Sequence, residues 1–465
     1  MLDKTTAGRP ATTQALADEM AAIDYASLPG EVVVKVKELL LDSLGNIISG
    51  SLEKPAQILA RVLTRWGGIG EASAVATRQM LPAPMAGFIN GVSAHSVEMD
   101  DAHHGALTKT GSAIVPASLA MGEATAADGK KLIAALVAGY ETTIRVGLAV
   151  NPGHRARGYH STGTVGVFGA AASGGKCLGF DSNQMAHVFG VAGTQGSGLM
   201  AFQHYPSMTK QLNVGKAVYN GLLSAALVRE GFTGPINILE SPEGFGRAFT
   251  DELHLEELTR GLGQEYRILE VGYKPHAACR WAHGAIDAIA EIAQRSSVKL
   301  ADVDHINIYA STLAVRQTSE QEPKSLMDAR AFSTPFGVAA AFVLGRPRIS
   351  VHDFKAAWSN PAVMDLSKRT FMHEDPEFGR ASLACRVEIV CRSGQRLSAS
   401  VALPKGEPEN PITPRELQDK WHMLVDPIVG EARANEISQM VAECEKLTSV
   451  DVLAAVLPTT EPKMS

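Results

Sequence analysis

Much that would announce a function is missing from these 465 residues. No block of lysine and arginine occurs and the net charge is −6, so nucleic acid has no reason to bind. Neither the GxGxxG nor the GxxxxGKS/T spacing is present, which leaves dinucleotide and phosphate-loop chemistry without an anchor. HExxH is absent as well. The five cysteines, Cys177, Cys279, Cys385, Cys391 and Cys444, are odd in number, scattered and without a CxxC pair. That pattern argues against a disulfide framework or a cluster-binding triad, and for reduced thiols in a cytoplasmic setting. No apolar run reaches the roughly 18 residues of a membrane helix. The N-terminal "MLDKTTAGRPATTQALADEM" carries acids and no apolar core, so a soluble protein without a secretory signal is expected. Aromatic residues make up 6% against 43 glycines, a composition for close backbone packing rather than aromatic recognition surfaces.

What is present is a long globular chain. With 45% hydrophobic and 20% charged residues it exceeds one compact core, and two domains are the expectation. The first half reads as helix. In "VVVKVKELLLDSLGNIISG" the apolar Val33, Val36, Leu40 and Leu44 recur at three- and four-residue spacing, with Gly45 and Gly50 as breaks. Stretches 128–150 and 214–232 are apolar over most of their circumference, as helices are at a bundle centre or a subunit interface. "STGTVGVFGAAASGGKCLG" sets Gly163, Gly166 and Gly169 three apart, a small-residue face for close helix approach.

The texture changes after about residue 268. "HINIYAST" alternates Ile306 and Ile308 with polar neighbours, as a half-buried strand does, and 386–404 reads as two strands joined at Ser393–Gly394. Helical "SLMDARAFSTPFGVAAAFVLG" lies between them. "GEPENP" makes a linker, and Thr413-Pro414-Arg415-Glu416 restarts a helix with a capping box and proline at its first position. The expected fold is mostly α: a large all-helical domain formed by both chain ends (1–268 and 408–465) with a smaller inserted α+β domain (269–407).

Four segments carry polar groups where the pattern around them is apolar or glycine-rich. The stretch 95–109 packs three carboxylates, three histidines and a lysine into fifteen positions, among them Glu98, Asp100, Asp101, His103, His104 and Lys109. Asp100 with His103 supplies only two metal ligands, and the spacing fits no metal template, so no metal is expected. "HRARGYHSTG" brings Arg155, Arg157, Tyr159 and His160 to the start of the glycine-rich helix. Lys210 stands just ahead of an apolar helix, placed to anchor an anion or, if desolvated, to act as a base. "YKPHAACRWAHGAIDAI" contributes Lys274, His276, Arg280 and His283. Histidines, lysines and arginines gathered without a redox motif suggest chemistry on a small polycarboxylate.

These segments carry a resemblance. "HSVEMDDAHHGAL…GSAIVPASLA", "GYHSTGTVGVFGAAA", "SMTKQLNVGKA", "CRWAHGAIDAI" and "ARAFSTPFGVAAA" resemble, in the same order and from about residue 15 to the C-terminus, the MmgE/PrpD family. That family includes 2-methylcitrate dehydratase, cis-aconitate decarboxylase and iminodisuccinate epimerase. The resemblance implies a helical domain with an α+β lid, a homodimer, catalysis without a cofactor, and a carboxylate-binding cleft between the domains. By the same resemblance His160, Lys210, Asp100, Asp101 and His283 match family site positions, and Glu98 falls where decarboxylase-like members carry an acid. Lys109 stands where the family has a histidine, Asn213 where a histidine is frequent, Phe336 where a tyrosine is, and Ala102 in place of a threonine. Lysine shuttles a proton near neutrality only if its pKa is pulled well down, so Lys109 is more readily a carboxylate anchor.

The leading expectation is therefore a cofactor-independent lyase, dehydratase or decarboxylase in type, that removes a proton alpha to a carboxylate of a small di- or tricarboxylate. His160 would be base or acid with His103 or His283 as counterpart, and Asp100 or Asp101 would orient one of them. Lys210, Lys109 and Arg157 would neutralise the substrate, with Glu98, Lys274 and Arg280 completing the binding set. Two alternatives stand beside it: an epimerase of an amino or imino dicarboxylate, and a catalytically inactive carboxylate-binding homologue.

Overall fold

The computed structural model describes residues 12–77, 79–205, 207–455 and 457. The stretch searched for a signal lies, up to residue 11, outside them. The chain divides into two compact units. Of the described residues, the first holds those up to 96, 100–271 and from 425 onward; the second holds 97–99 and 272–424.

Among the described residues, the named elements of the first unit are helical apart from a two-residue ladder, Ala72–Ser73 with Met80–Leu81. Its frame is α1 (Gly30–Gly50), α2 (Ala83–Ala94), α3 (Gly111–Ala124), α4 (Gly129–Val150), α5 (Ser161–Leu178) and α6 (Thr209–Arg229). The break expected at Gly45 does not occur: α1 runs through it and ends at Gly50, where the backbone of Ser93 leaves no room for a Cβ. A single glycine costs a helix only about 1 kcal/mol, which the buried leucines on either side outweigh.

Asp128 caps α4, its carboxylate accepting from the Lys131 amide at 2.8 Å. By length and composition α4 is apolar enough to cross a membrane, which corrects the expectation that no such segment exists; Glu141 and Arg145 interrupt its otherwise apolar run. Of its most apolar window 94% is buried inside the unit. Leu132, Ile133, Leu136 and Ile144 are fully covered, each contributing about 1.5–3 kcal/mol of burial. The glycine face on α5 has the structural purpose read from its spacing. A Cβ at Gly169 would collide with Thr143 and with the Gly139 carbonyl on α4, and one at Gly163 would press on Asn213 of α6.

The second unit is α+β. Strands β1 (Val303–Ala310), β2 (Thr370–Glu374), β3 (Cys385–Cys391) and β4 (Arg396–Val401) form one sheet in the order β2-β1-β3-β4. β1 runs parallel to β2, with Ile306 opposite Thr370, and antiparallel to β3, with Ile308 opposite Val387. The β3–β4 hairpin turns at Gly394, whose φ of +86° favours glycine. Helix α7 (Arg280–Arg295) packs on β3 and β4, and α8 (Thr334–Leu344) packs on α7. The single helical stretch expected around 325–345 is two helices, Leu326–Phe332 and α8. Ser333 interrupts it because its hydroxyl caps the second helix by accepting from Phe336 N at 3.0 Å.

Helix α9 (Pro414–Val429) opens with the expected capping box: Thr413 N donates to Glu416 at 2.7 Å, and Glu416 N donates to the Thr413 hydroxyl at 3.2 Å. The chain returns to the first unit within α9, at Val425, rather than at residue 408. Ion pairs of Glu416 with Arg348 and Lys405 keep the first turns of α9 in the second unit.

Candidate active site

His160 is the N-cap residue of α5, with its backbone N–H on the Gly198 carbonyl and its own carbonyl receiving Gly163 N and Thr164 N. Its side chain is buried at 8% exposure, edge-on to Phe202 (ring centroids 5.2 Å) and tilted against His95 (5.6 Å). Asn213, held by the Leu199 carbonyl, donates to Nδ1 at 3.4 Å, too long a bond to pin the tautomer. Burial, followed by the charges of His95, Lys210, Lys109 and Arg155, holds the imidazole well below its usual pKa. It is a neutral ring in a field of cations.

Each of those cations is placed by local structure. Lys210 is the second residue of α6, three before Asn213, so the two share a helix face. Lys109, half-buried, is seated by its amide, which donates to the Thr162 hydroxyl in the first turn of α5 at 3.0 Å. Arg155, on the short helix Gly153–Ala156, reaches Gln203 at 3.2 Å. A neutral, desolvated base among ammonium and guanidinium groups suits a substrate that brings several carboxylates and reacts next to one.

Sequence reasoning missed His95. It caps the C-terminus of α2, and its Nδ1 lies 2.6 Å from Asp100 Oδ2 with both side chains at most 2% exposed. The Ser112 hydroxyl donates to the same oxygen at 2.7 Å. The only signal was a histidine at the head of a polar cluster directly after an apolar helix. Nothing in the spacing shows that residues 95–100 fold back on themselves.

Other expected members of the site go elsewhere. His103, one of two proposed counterparts of His160, has both ring nitrogens occupied: Nε2 on Glu270 at 2.9 Å and Nδ1 accepting from Ala106 N at 3.0 Å. It closes its own loop and does not share a ligand set with Asp100. Asp101 orients no histidine; it accepts from Gly111 N at 2.8 Å and from the Tyr140 hydroxyl at 2.6 Å, pinning the start of α3. Arg157, 40% exposed, faces Asp251 on the surface, and its neighbour Arg155 is the arginine that acts on His160.

Burial pushes the Asp101 carboxyl up to about 7, against the Tyr140 hydrogen bond. A carboxyl raised in the folded state stabilises fully below its unfolded value near 4, and that stability is lost as pH rises through about 7. Asp101→Asn keeps an acceptor for Gly111 and, without the charge, can donate its amide to the Tyr140 oxygen in place of the bond the hydroxyl now donates. Its stability relative to wild type should therefore rise from about pH 5 to about pH 8, by an amount on the order of 3 kcal/mol. Calorimetry at both pH values checks this, and an equal difference at both would count against it.

In the second unit, Lys274 is buried at 1% exposure and donates to the Glu98 carbonyl at 3.2 Å and to its carboxylate at 3.4 Å. Glu98 adopts φ +59°, unusual for a residue with a Cβ and a place where strain collects at functional sites. His283 donates from Nε2 to the Ala278 carbonyl at 3.1 Å, edge-on to His276 at 5.1 Å. Burial, then the charges of His276, Lys274 and Arg280, keep it well below its usual pKa. Arg280, expected to bind substrate, is instead committed to a buried pair with Glu407, which ties down the 406–410 turn. Phe336 lies in the core of the second unit against Phe354 (5.9 Å).

Both halves of the chain match known proteins. Residues 14–258 match the model of the MmgE/PrpD N-terminal domain and residues 276–446 that of the MmgE/PrpD C-terminal domain. The chain is 28% identical to the cis-aconitate decarboxylase-like protein oryM of Aspergillus oryzae, over 96% of this chain and 97% of that one. It is 27% identical to the cis-aconitate decarboxylase of Aspergillus terreus over 92% of each chain. It is 23% identical to the cis-aconitate decarboxylase of Homo sapiens, over 97% and 95%.

Proposed function

The chain belongs to the MmgE/PrpD family, and from that premise we propose that it is a cofactor-independent lyase of the decarboxylase or dehydratase type acting on a small di- or tricarboxylate. The relatives support lyase chemistry in general. One observation carries the finer reading: the neutral, buried His160 stands within the field of Lys109, Lys210 and Arg155. Substrate carboxylates meet the three cations, and His160 takes the proton from the carbon alpha to one of them. The electron pair left on that carbon expels the leaving group beta to it, or, in the decarboxylase direction, the bond to a carboxylate breaks, CO2 leaves, and the electron pair left on carbon takes a proton from the Lys210 ammonium or from water. Lys274 and Glu98 form a second charged cluster available for carboxylate recognition.

Proton NMR of the pure enzyme in deuterium oxide with cis-aconitate, citrate, 2-methylcitrate and related acids tests the reading. Loss of one acid to an unsaturated or decarboxylated product, with deuterium entering beside a carboxylate, is the expected result. Neither turnover nor deuterium exchange across the panel would sink it, and deuterium in both isomers of an unchanged acid would favour the epimerase. Lys210→Ala should raise KM about tenfold or more, the loss of one charge-assisted hydrogen bond, with a smaller change in kcat. Steady-state kinetics on the acid found active checks this.

A further inference from the structure

The imidazole that the sequence did not single out extends this functional reading, and its kinetic consequences rest on that reading. His95 and His160 lie ring to ring at 5.6 Å with an interplanar angle of 33°, both inside the first unit and both buried. His95 is fixed from one side: its Nδ1 meets Asp100 at 2.6 Å, and Ser112 holds that carboxylate oxygen at 2.7 Å. Its Nε2 is buried and finds no hydrogen-bond partner among the described residues. A carboxylate accepts and cannot donate, so the contact places a proton on Nδ1, and no second contact competes to turn the ring.

We infer that His95 is a positioning residue for His160: locked by Asp100 and Ser112, its ring packs against His160 and sets both the plane and the protonation of that imidazole. Two buried imidazoles in contact disfavour a second positive charge, as any pair of like charges in a dry site does. The other groups acting on His160 are Lys109 from the loop before α3, Arg155 from the Gly153–Ala156 helix and Lys210 from α6. All are cationic. Asn213 and Phe202, which also touch the ring, are neutral. Asp100 is the carboxylate paired with His95, so it reaches His160 through that ring.

The test uses full-length protein carrying isotope-labelled histidine, with the His160 signal assigned by its absence in His160→Gln. In wild type the His160 signal should stay that of a neutral ring below the ordinary histidine range; protonation at ordinary histidine pH overturns the inference. In His95→Gln and in His95→Phe the His160 ring should take up its proton at a pH at least about one unit higher, a tenfold change in proton affinity. His95→Phe keeps a packed ring without charge, so its kcat at alkaline pH should lie closer to wild type than that of His95→Gln. The acid limb of kcat/KM should move with the His160 signal in both. A merely structural His95 would lower kcat by the same factor at every pH and leave the His160 titration in place, and that result also overturns the inference. If no acid is turned over, the functional reading falls while the spectra still decide the role of His95.

Discussion

His160→Gln should cut kcat about a hundred- to ten-thousandfold, the usual contribution of a positioned acid–base group, while the protein stays folded. Glutamine fits the slot between Phe202 and His95, and its carbonyl can accept the Asn213 amide that the imidazole accepts now. What it cannot do is take up a proton. Because burial and then the neighbouring cations hold His160 well below its usual pKa, the wild-type protein keeps this imidazole neutral under mildly acid conditions. The acid limb of kcat/KM should accordingly lie below the ordinary histidine pKa near 6.5. Kinetics of wild type and variant across that range check both points. A wild type that gains thermal stability from carboxylates yet turns none over would point instead to an inactive binding homologue.

The second large effect is on stability. Arg145 is fully buried on α4, where Nε donates to Glu141 at 3.0 Å and the two terminal nitrogens donate to the Arg260 and Glu265 carbonyls at 2.7 and 2.8 Å. Glu141 in turn accepts Ile268 N at 2.9 Å, and burial pushes its carboxyl up to about 6 against the pull of Arg145. Arg145→Met takes away the partner of a buried carboxylate and leaves two carbonyls without their donor. Removing one member of such a pair costs about 3–5 kcal/mol, or on the order of 10 °C in midpoint for a unit of this size. The loss should be larger at about pH 8, where Glu141 is ionised, than at about pH 5, where it is protonated. Adding Glu141→Gln, which keeps an acceptor for Ile268, should recover part of it. Thermal unfolding of the single and double variants checks this, and a drop of less than about 1 kcal/mol would contradict it.

Features with local causes were legible in the sequence. The Thr413–Glu416 box marks a helix start because a cap bonds within three residues of itself. Gly394 marks its turn, and the glycine face of α5 marks close packing. His160, Lys109 and Lys210 were recognisable for a related reason, since each stands at or just before the start of a helix where a polar group interrupts an apolar pattern. The pairings that decide roles were not legible. His103 meets Glu270 across 167 positions and Arg280 meets Glu407 across 127, and neither distance leaves a trace in spacing. Adjacent residues also part company. Asp100 turns to His95 and Asp101 to Tyr140, while Arg155 acts on His160 and Arg157 faces Asp251. Such choices depend on which way one loop residue points, which composition and periodicity do not encode.

Residues 97–99 have a consequence for how this molecule can be taken apart. They belong to the second unit, yet both their neighbours in sequence belong to the first. Glu98 and the Met99 carbonyl receive the ammonium groups of Lys274 and, at 2.6 Å, Lys420. A cassette cut at residues 272–424 would therefore be missing three of its own residues, supplied from far upstream in the chain. Exchanging that cassette between relatives transplants Lys274 and Lys420 without the oxygens that receive them, unless 97–99 travel too. The second unit is thus discontinuous in sequence, and chimaeras should be spliced with both pieces exchanged together.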